Sequence, residues 1–307
     1  PYTGRISPVV GRIAAEHEVD LSLVAGTGMN GRITKKDILA YVESGQQTAV
    51  SPQPAAIPST PAPQHQVSVA PTPVPQPPAP TLTAGEVVPL TNMRRSIAEH
   101  MVRSKHTSPH VTTVFEVDFT AVSNHRAAHK AQFAKDGAKL TFTAYIVSAT
   151  IEALKRHPLV NSTWTDEGIA LKREINVGMA AAIDEGLIVP VIKNADSLNL
   201  LGLSRVVNDL TNRARAGKLT PGDVTGGTFT ITNHGTSGSL FATPIINQPQ
   251  CGILGVGKIE KRVKVINDAI AIRPLAYISL TFDHRILDGA SGDAFVSTIK
   301  EIIENWS

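Results

Sequence analysis

Cysteine is nearly absent: the chain has one thiol, Cys251, in 307 residues. That excludes an internal disulfide framework and any zinc site built on cysteine pairs, and it suits a reducing compartment. Concentrated positive charge is missing too. The 29 lysines and arginines face 26 aspartates and glutamates, for a formal charge of +3, and no cluster of four basic residues occurs. This excludes the electrostatic footprint of a nucleic-acid binder. Long apolar runs are also lacking, since the longest, Phe142 to Leu154, is too short and too polar to span a bilayer. The opening PYTGRISPVV carries no charged-then-apolar leader. Together these absences lead to the expectation of a soluble intracellular protein with no nucleic-acid, membrane or metal partner.

Charge vanishes altogether from Ser44 to Gly85, and 11 of the 21 prolines fall between Pro52 and Pro80. Runs such as PTPVPQPPAP cannot bury a core, and proline holds the backbone near polyproline II. Residues 46–86 are therefore expected to form a Pro/Ala-rich flexible linker, reaching up to ~120 Å at ~3 Å per residue. It separates a small unit, residues 1–45, from a larger one, residues 87–307.

In the small unit Ser7-Pro8 reads as a cap and first helical position, followed by Val10, Ile13 and Ala14 at helical spacing. A second helix starts at the capping-box string Thr34-Lys35-Lys36-Asp37 and carries Ile38, Leu39 and Val42. Two helices this short need every apolar residue, so the expected core is Val10, Ile13, Leu21, Val24, Ile33, Ile38 and Leu39. The string from Gly26 to Gly31 matches G-x-G-x-x-G, but a dinucleotide site needs a parallel sheet that this unit cannot supply. Its glycines read as turn-makers.

The larger unit alternates strands and helices. Strands are expected at Val114–Phe119, 176–183, 188–192, Thr228–Thr232, Gly252–Val256 and Ala276–Phe282, with a hairpin through Asn267-Asp268. Helices are expected after a Thr141 cap, around Leu203 to Leu210, and at Phe295 to Ile303. Strands outnumber what βαβ repetition would give, which predicts an α+β fold with a mixed sheet and helices packed on one face.

Two stretches could carry chemistry. TFDHRILDG places His284 just past a strand, with Asp288 four residues on and Gly289 next. A histidine there is a candidate general base, because its pKa lies near neutrality; a hydrogen-bonded structural histidine is the plainer reading. GGTFTITNHG runs a β-branched strand into a polar turn, where a threonine hydroxyl could face a developing oxyanion or simply bond its own backbone.

TFDHRILDG resembles the active-site signature of the dihydrolipoamide acyltransferases of 2-oxo acid dehydrogenase complexes. GGTFTITNHG with TPIINQPQ (Thr243 to Gln250) resembles that family's oxyanion segment, and GLIVPVIKNAD and MRRSIAEHM resemble further family strings. Residues 6–43 resemble its peripheral-subunit-binding domain.

The resemblance implies a chloramphenicol-acetyltransferase-like catalytic domain that moves an acyl group between dihydrolipoamide and coenzyme A. By that analogy His284 is the base, Thr232 the oxyanion donor, and Asp288 orients the loop through an ion pair with Arg94 or Arg95, while Gly289 lets the turn close. Cys251 is then not a nucleophile. Histidine and hydroxyl would come from neighbouring subunits of a homotrimer that builds a 24-mer or 60-mer core. Arg12 and Arg32 would dock dihydrolipoamide dehydrogenase or the 2-oxo acid decarboxylase component, although Gly11 and Ala15 stand where many relatives carry arginine. The lipoyl group would be covalently held on a separate domain not seen in this chain. Location would be cytoplasmic, or the mitochondrial matrix in a eukaryote. SKHTSPHV (Ser104 to Val111) is similar to bacterial branched-chain members, which places branched-chain acyl groups ahead of succinyl and acetyl. Two alternatives stay open: a free-standing chloramphenicol-type acetyltransferase, against which the docking domain and linker argue, and a non-catalytic scaffold, whose known examples lack the histidine.

Overall fold

The computed structural model describes residues 10, 13, 14, 17, 19–24, 26, 27, 33–43, 85, 87–183 and 186–307. The chain divides into two compact units, residues 1–81 and 82–307. The Ser7-Pro8 cap, Arg12, Arg32, most of the Gly26–Gly31 loop and all of the 46–86 segment except Gly85 and the adjoining end of the second unit lie outside the described residues.

In the first unit helix α1 (Lys35–Glu43) begins where its capping box places it. Thr34 donates to Asp37 from its backbone N–H at 2.8 Å and its hydroxyl at 2.9 Å, and Asp37 N–H returns a bond to Thr34 Oγ1. Thr27 adds a backbone and a hydroxyl donor. These donors, Thr27 N–H first, hold the Asp37 carboxyl well below its usual range. Val10, Ala14, Val24, Ile33 and Ile38 form the core, flanked by Ile13, Val19, Leu21 and Tyr41. Leu39, expected inside, is exposed. It sits about 100° around the helix from Ile38, and Tyr41 takes the inward position instead.

The second unit is a mixed sheet with helices. Its elements are α2 (Asn92–Thr107), β1 (His110–Asp118), α3 (Thr120–Lys135), α4 (Phe142–Arg156), β2 (Ser162–Thr165), β3 (Gly168–Leu171), β4 (Val177–Ile183), β5 (Gly186–Ile188), β6 (Val191–Ile192), α5 (Leu200–Arg215), β7 (Phe229–Asn233), β8 (Gly252–Val256), β9 (Glu260–Ile266), β10 (Ala269–Asp283) and α6 (Gly289–Glu304). The main sheet runs β1-β10-β8-β7-β4-β5, with β6 on β4 and β9 on β10. The pairs β4–β7 and β7–β8 are parallel, and the others antiparallel.

Three expectations shift. The strand anticipated over 188–192 splits into β5 and β6, because Pro190 between them has no N–H to give a ladder; its carbonyl still accepts from Met179 N–H at 2.8 Å. Thr141 stands at the start of α4 but its hydroxyl caps nothing and is buried without a partner. The hairpin strand after Asn267-Asp268 and the strand at 276–282 are one 15-residue strand, β10.

Strand alternation sorts the residues of this sheet onto two faces. Phe229, Ile231, Leu254, Val256, Ile278, Leu280 and Phe282 point into one core with Phe295, Val296, Ile299 and Ile303 of α6 and with residues of α4 and α5. Opposite, register aligns Ala180, Thr232, Gly255, Ser279 and Val114 in one row, and Gly178, Thr230, Ile253, Thr281 and Thr112 in the next. A strap, residues 239–250, crosses this second face. Ser279 Oγ donates to Ala242 O at 2.7 Å, Ser104 Oγ of α2 to Ile246 O at 2.6 Å, and Thr230 Oγ1 to Gln250 Oε1 at 2.7 Å.

Candidate functional site

The end of β10 is locked by a buried carboxylate. Asp283, 2% exposed, accepts from Arg285 Nη2 at 2.6 Å and from Ser108 Oγ at 2.6 Å, while its backbone N–H donates to Cys251 O at 2.8 Å. Burial pushes the Asp283 carboxyl up, but the bonds from Arg285 and Ser108 outweigh it and hold the group below its ordinary value. Gln248 Nε2 reaches Ser108 Oγ at 2.7 Å, tying the strap to the same point. The Arg285 guanidinium lies 5.1 Å from the Trp164 ring. His110, opposite Asp283 in the ladder, bonds Ser108 O through Nδ1 at 2.7 Å and receives Ile246 N–H on Nε2 at 3.1 Å. Because a backbone N–H can only donate, Nε2 is the acceptor and Nδ1 carries the proton.

His284 follows this lock. Its backbone N–H donates to Pro109 O at 3.0 Å, its ring lies 5.9 Å from that of Phe282, and its side chain is exposed. Asp288 caps α6, taking Ser291 N–H at 2.8 Å. Hydrogen bonds from Ser291 depress its carboxyl, with a smaller contribution from His284. Among the described residues no ion pair joins Asp288 to Arg94 or Arg95, which are exposed on α2. The cap therefore replaces the expected ion pair within the chain. Gly289 opens α6 without a left-handed φ, and a Cβ there would meet nothing within 4 Å, so turn closure does not demand glycine.

Thr232 lies elsewhere. It sits on β7, half-buried on the face that the strap crosses, and among the described residues no hydrogen bond engages its hydroxyl. Register places it level with Gly255, which is level with Ser279. His284 is five residues further along and two strands across, so roughly 16 Å along and 10 Å sideways at ordinary strand spacings. One chain does not bring the two side chains together.

Beside Thr232, His234 has both ring nitrogens buried without partners, and burial lowers its pKa. A Cβ on Gly255 would run into the Ser279 hydroxyl and come within 3.3 Å of the His234 ring, so only glycine fits there. Cys251 is fully buried, and burial first, then the Asp283 charge, pushes its thiol up to about 12. A thiol so poised is inert. At the His284 end of the sheet a cavity of about 440 Å³ is lined by Lys172, Asn176, Thr228, Asn247, Gln248 and Gln250 among others.

Sequence reasoning found His284, Asp288 and Thr232 but missed Asp283, Arg285, Ser108, Gln248 and His234. A carboxylate ending an apolar strand, two residues before an arginine, was the visible signal for the first pair. Ser108 and Gln248 lie 175 and 35 positions from Asp283 in sequence, so no local pattern marks them.

No helix among the described residues is long and apolar enough to cross a membrane. Residues 83–307 match the model of the 2-oxoacid dehydrogenases acyltransferase catalytic domain, and residues 4–39 match the e3 binding domain. The lipoamide acyltransferase component of the branched-chain alpha-keto acid dehydrogenase complex of Bacillus subtilis is 41% identical over 99% of this chain and 72% of its own. The dihydrolipoyllysine-residue acetyltransferase component of the pyruvate dehydrogenase complex of Staphylococcus aureus is 40% identical over 99% of this chain and 70% of its own. Among solved structures, a probable dihydrolipoamide acetyltransferase from Listeria monocytogenes superposes with a TM-score of 0.71 at 41% identity, covering 73% of this chain and 96% of that one. The cubic core of a pyruvate dehydrogenase multienzyme complex gives 0.70 at 33%, covering 75% and 97%. A sheet ending in a locked histidine loop, a hydroxyl on its strap-covered face and a catalytic-domain match over residues 83–307 thus agree: the chain belongs to the 2-oxoacid dehydrogenase acyltransferase family and carries the acyltransferase core of such a complex.

Proposed function

We propose that the second unit transfers an acyl group, branched-chain by preference over succinyl or acetyl, between dihydrolipoamide and coenzyme A, at a site shared by two chains. The observation that carries this is the separation of His284 from Thr232 within one chain, each exposed or unpartnered, as two halves of one site would be. The His284 imidazole takes the proton of the attacking thiol, whose thiolate is the competent nucleophile. That thiolate adds to the thioester carbonyl. The tetrahedral oxygen receives a hydrogen bond from Thr232 of the neighbouring copy, and the imidazolium returns its proton to the departing sulfur. Asp288 and the Asp283–Arg285 pair position the loop. The amide-lined cavity beside it suits the amide-bearing arm of a thiol substrate.

In the dihydrolipoamide acetyltransferase of Azotobacter vinelandii a serine, a histidine and an asparagine have been investigated for their roles in catalysis, the serine 52 positions before the histidine and the asparagine four after. Thr232 and Asp288 stand at the same offsets from His284. This spacing supports the assignment, with aspartate in place of asparagine. A cubic relative supports a trimer-based core, a 24-mer ahead of a 60-mer. The division into a docking unit (1–45), a linker (46–86) and a catalytic unit (87–307) then has a use: the first unit holds dihydrolipoamide dehydrogenase, with the 2-oxo acid decarboxylase as the other peripheral partner. Bacterial relatives and one buried thiol fit a cytoplasmic setting, and the lipoyl group enters as a substrate arm.

The test is CoA-dependent transfer from acetyl-, succinyl- and isobutyryl-dihydrolipoamide. His284→Ala is expected to lose about 10²- to 10⁴-fold, and Thr232→Ala about 10²- to 10³-fold. Co-assembling the two inactive variants should restore roughly a quarter of the sites, because random mixing in a cyclic trimer pairs an intact histidine with an intact threonine that often. No recovery in verified mixed particles would refute the shared site, and acetyl as the fastest donor would refute the branched-chain preference.

A further inference from the structure

The helix layer of the catalytic unit has a recess of its own. Between the later part of α3 and the loop that follows lies a cavity of about 430 Å³, lined by Arg126, Lys130 and Ala134 and by residues 137–140. The three α3 residues are spaced four apart, so they share one stripe of the helix. Val122 and Phe133 of α3, with Leu140 and Phe142, pack into the core beneath the sheet, so the recess belongs to the helix side and Thr232 to the strap side. Its walls are fixed. Arg126 Nε donates to Leu140 O at 2.9 Å, and the guanidinium lies 5.0 Å from the Phe142 ring. Lys139 is pinned through its backbone, its N–H donating to Asn208 Oδ1 at 2.6 Å and its C=O accepting from Asn208 Nδ2 at 3.1 Å. Gly137, at φ 75°, turns the loop back along the helix. Three cations thus line one concavity, and no carboxylate lines it. The 16 residues of α3 include no aspartate or glutamate, in a chain whose two signs nearly balance. Among the described residues Arg126, Lys130 and Lys139 form no ion pair. Asp136, the first acid after the helix, lies outside the lining and takes Gln132 Nε2 at 3.1 Å. The helix dipole accounts for Lys135 in the last turn, but it fades before Lys130 and Arg126. Like charges one turn apart weaken a helix, and a bound anion would relieve that repulsion.

We propose that this recess binds the phosphate groups of a small molecule, on the opposite side of the sheet from the Thr232 hydroxyl. A phosphate monoester carries about −1.5 to −2 charges at neutral pH. A carboxylate carries one, so three unpaired cations match a diphosphate better than an acidic side chain. Arg126 supplies the oriented donor. With Nε held by Leu140 O, its two terminal nitrogens remain as a fork for phosphate oxygens. Lys130 and Lys139 are exposed and add point charges, one from the helix and one from the loop. Ala134, Gly137 and Ala138 leave the space open, and the volume falls in the range of small-molecule sites. A nucleic-acid backbone would need a longer track of cations than these three.

The test titrates the full chain with inorganic pyrophosphate by calorimetry at low salt, where such contacts are least screened. Lys130→Gln with Lys139→Gln is expected to weaken binding at least ~10-fold, with circular dichroism and the rate of acyl transfer unchanged. Arg126→Lys keeps the charge but loses the fork, and should weaken binding by a similar factor. Lys135→Gln, outside the recess, should change it less than ~2-fold. A parallel titration with ADP identifies the source of the phosphate: tighter binding than pyrophosphate, lost in the double variant, assigns a nucleotide, and equal binding assigns the diphosphate alone. Both results support the site. No binding of pyrophosphate, or binding that the double variant leaves intact, overturns it. A polyglutamate peptide that binds more tightly than pyrophosphate and is lost in the double variant gives the recess to an acidic protein segment, and overturns the phosphate site as well. Acyl transfer that falls in the well-folded double variant overturns the separation from the chemistry.

Discussion

On the helix side of the sheet, Phe229, Leu254, Leu280 and Phe282 meet Phe295 and Ile299 of α6 in a dry core, whereas the other side presents Thr112, Thr230, Thr232, Gly255, Ser279 and Thr281 under a single strap. The same strands build both, because successive side chains point opposite ways. Bulky apolar residues on one face supply burial. Small and hydroxyl-bearing ones on the other let chain segments and substrates approach the backbone. Stability and chemistry are thus separated by one residue step along β7.

That contrast can be broken from either face. The largest stability effect belongs to the helix side: Phe295→Ala leaves a cavity in a fully buried position and should cost about 3–5 kcal/mol, read as a lowered midpoint in denaturant. A comparable loss from Thr232→Ala would collapse the distinction. The next effect lies where the faces meet. Asp283→Asn removes charged hydrogen bonds worth about 1.5–3 kcal/mol, less than a fully buried pair because Arg285 is 28% exposed. Since the folded Asp283 pKa is depressed, its contribution is present above the unfolded carboxyl value near ~4 and is lost as pH falls through the lower folded value. The variant should therefore unfold with a flatter acid limb; an unchanged limb would remove Asp283 from the lock.

The smallest effect sharpens the chemical face. Burial depresses the His234 pKa, so below about 6.5, the ordinary histidine value, the unfolded chain takes up a proton before the folded one does. Stability falls as pH drops through that window. His234→Leu should make thermal stability less pH-dependent between pH 7 and 5, without abolishing the slope, because burial depresses His125 and His157 in the same direction. An identical slope in the variant would mean that His234 is not the buried neutral ring described here.

Much of this was legible in the chain. Alternation in Val114–Phe119 and Gly252–Val256 and the 3.6-residue spacing of Phe295, Ile299 and Ile303 correspond to β1, β8 and α6. Thr34 and Asp37 announced the start of α1. Elsewhere local rules gave way to context. Thr141 has a capping residue's identity, but its hydroxyl is buried away from the helix amides. Asp288 has an ion-pairing side chain, but the nearest donor is the amide of the helix it begins. The lock on Asp283 draws on Ser108 and Arg285, and Ser108 in turn holds Gln248.

By itself the sequence determined most strands of the main sheet and the helices at 142–156, 200–215 and 289–304, but not those at 92–107 and 120–135 or the hairpin over 162–171; it also determined where the charge-free segment lies and that one histidine and one threonine stand in the strings that matter, because these are short-range properties of spacing and composition. Only the tertiary structure decided that Thr232 faces the strap and not the core beneath the sheet, that Asp283 is held ionised by Arg285 and Ser108, and that His284 cannot reach the hydroxyl of its own chain. Those depend on strand order and register, which bring together residues far apart in sequence and hold apart the two that the family resemblance assigns to neighbouring subunits.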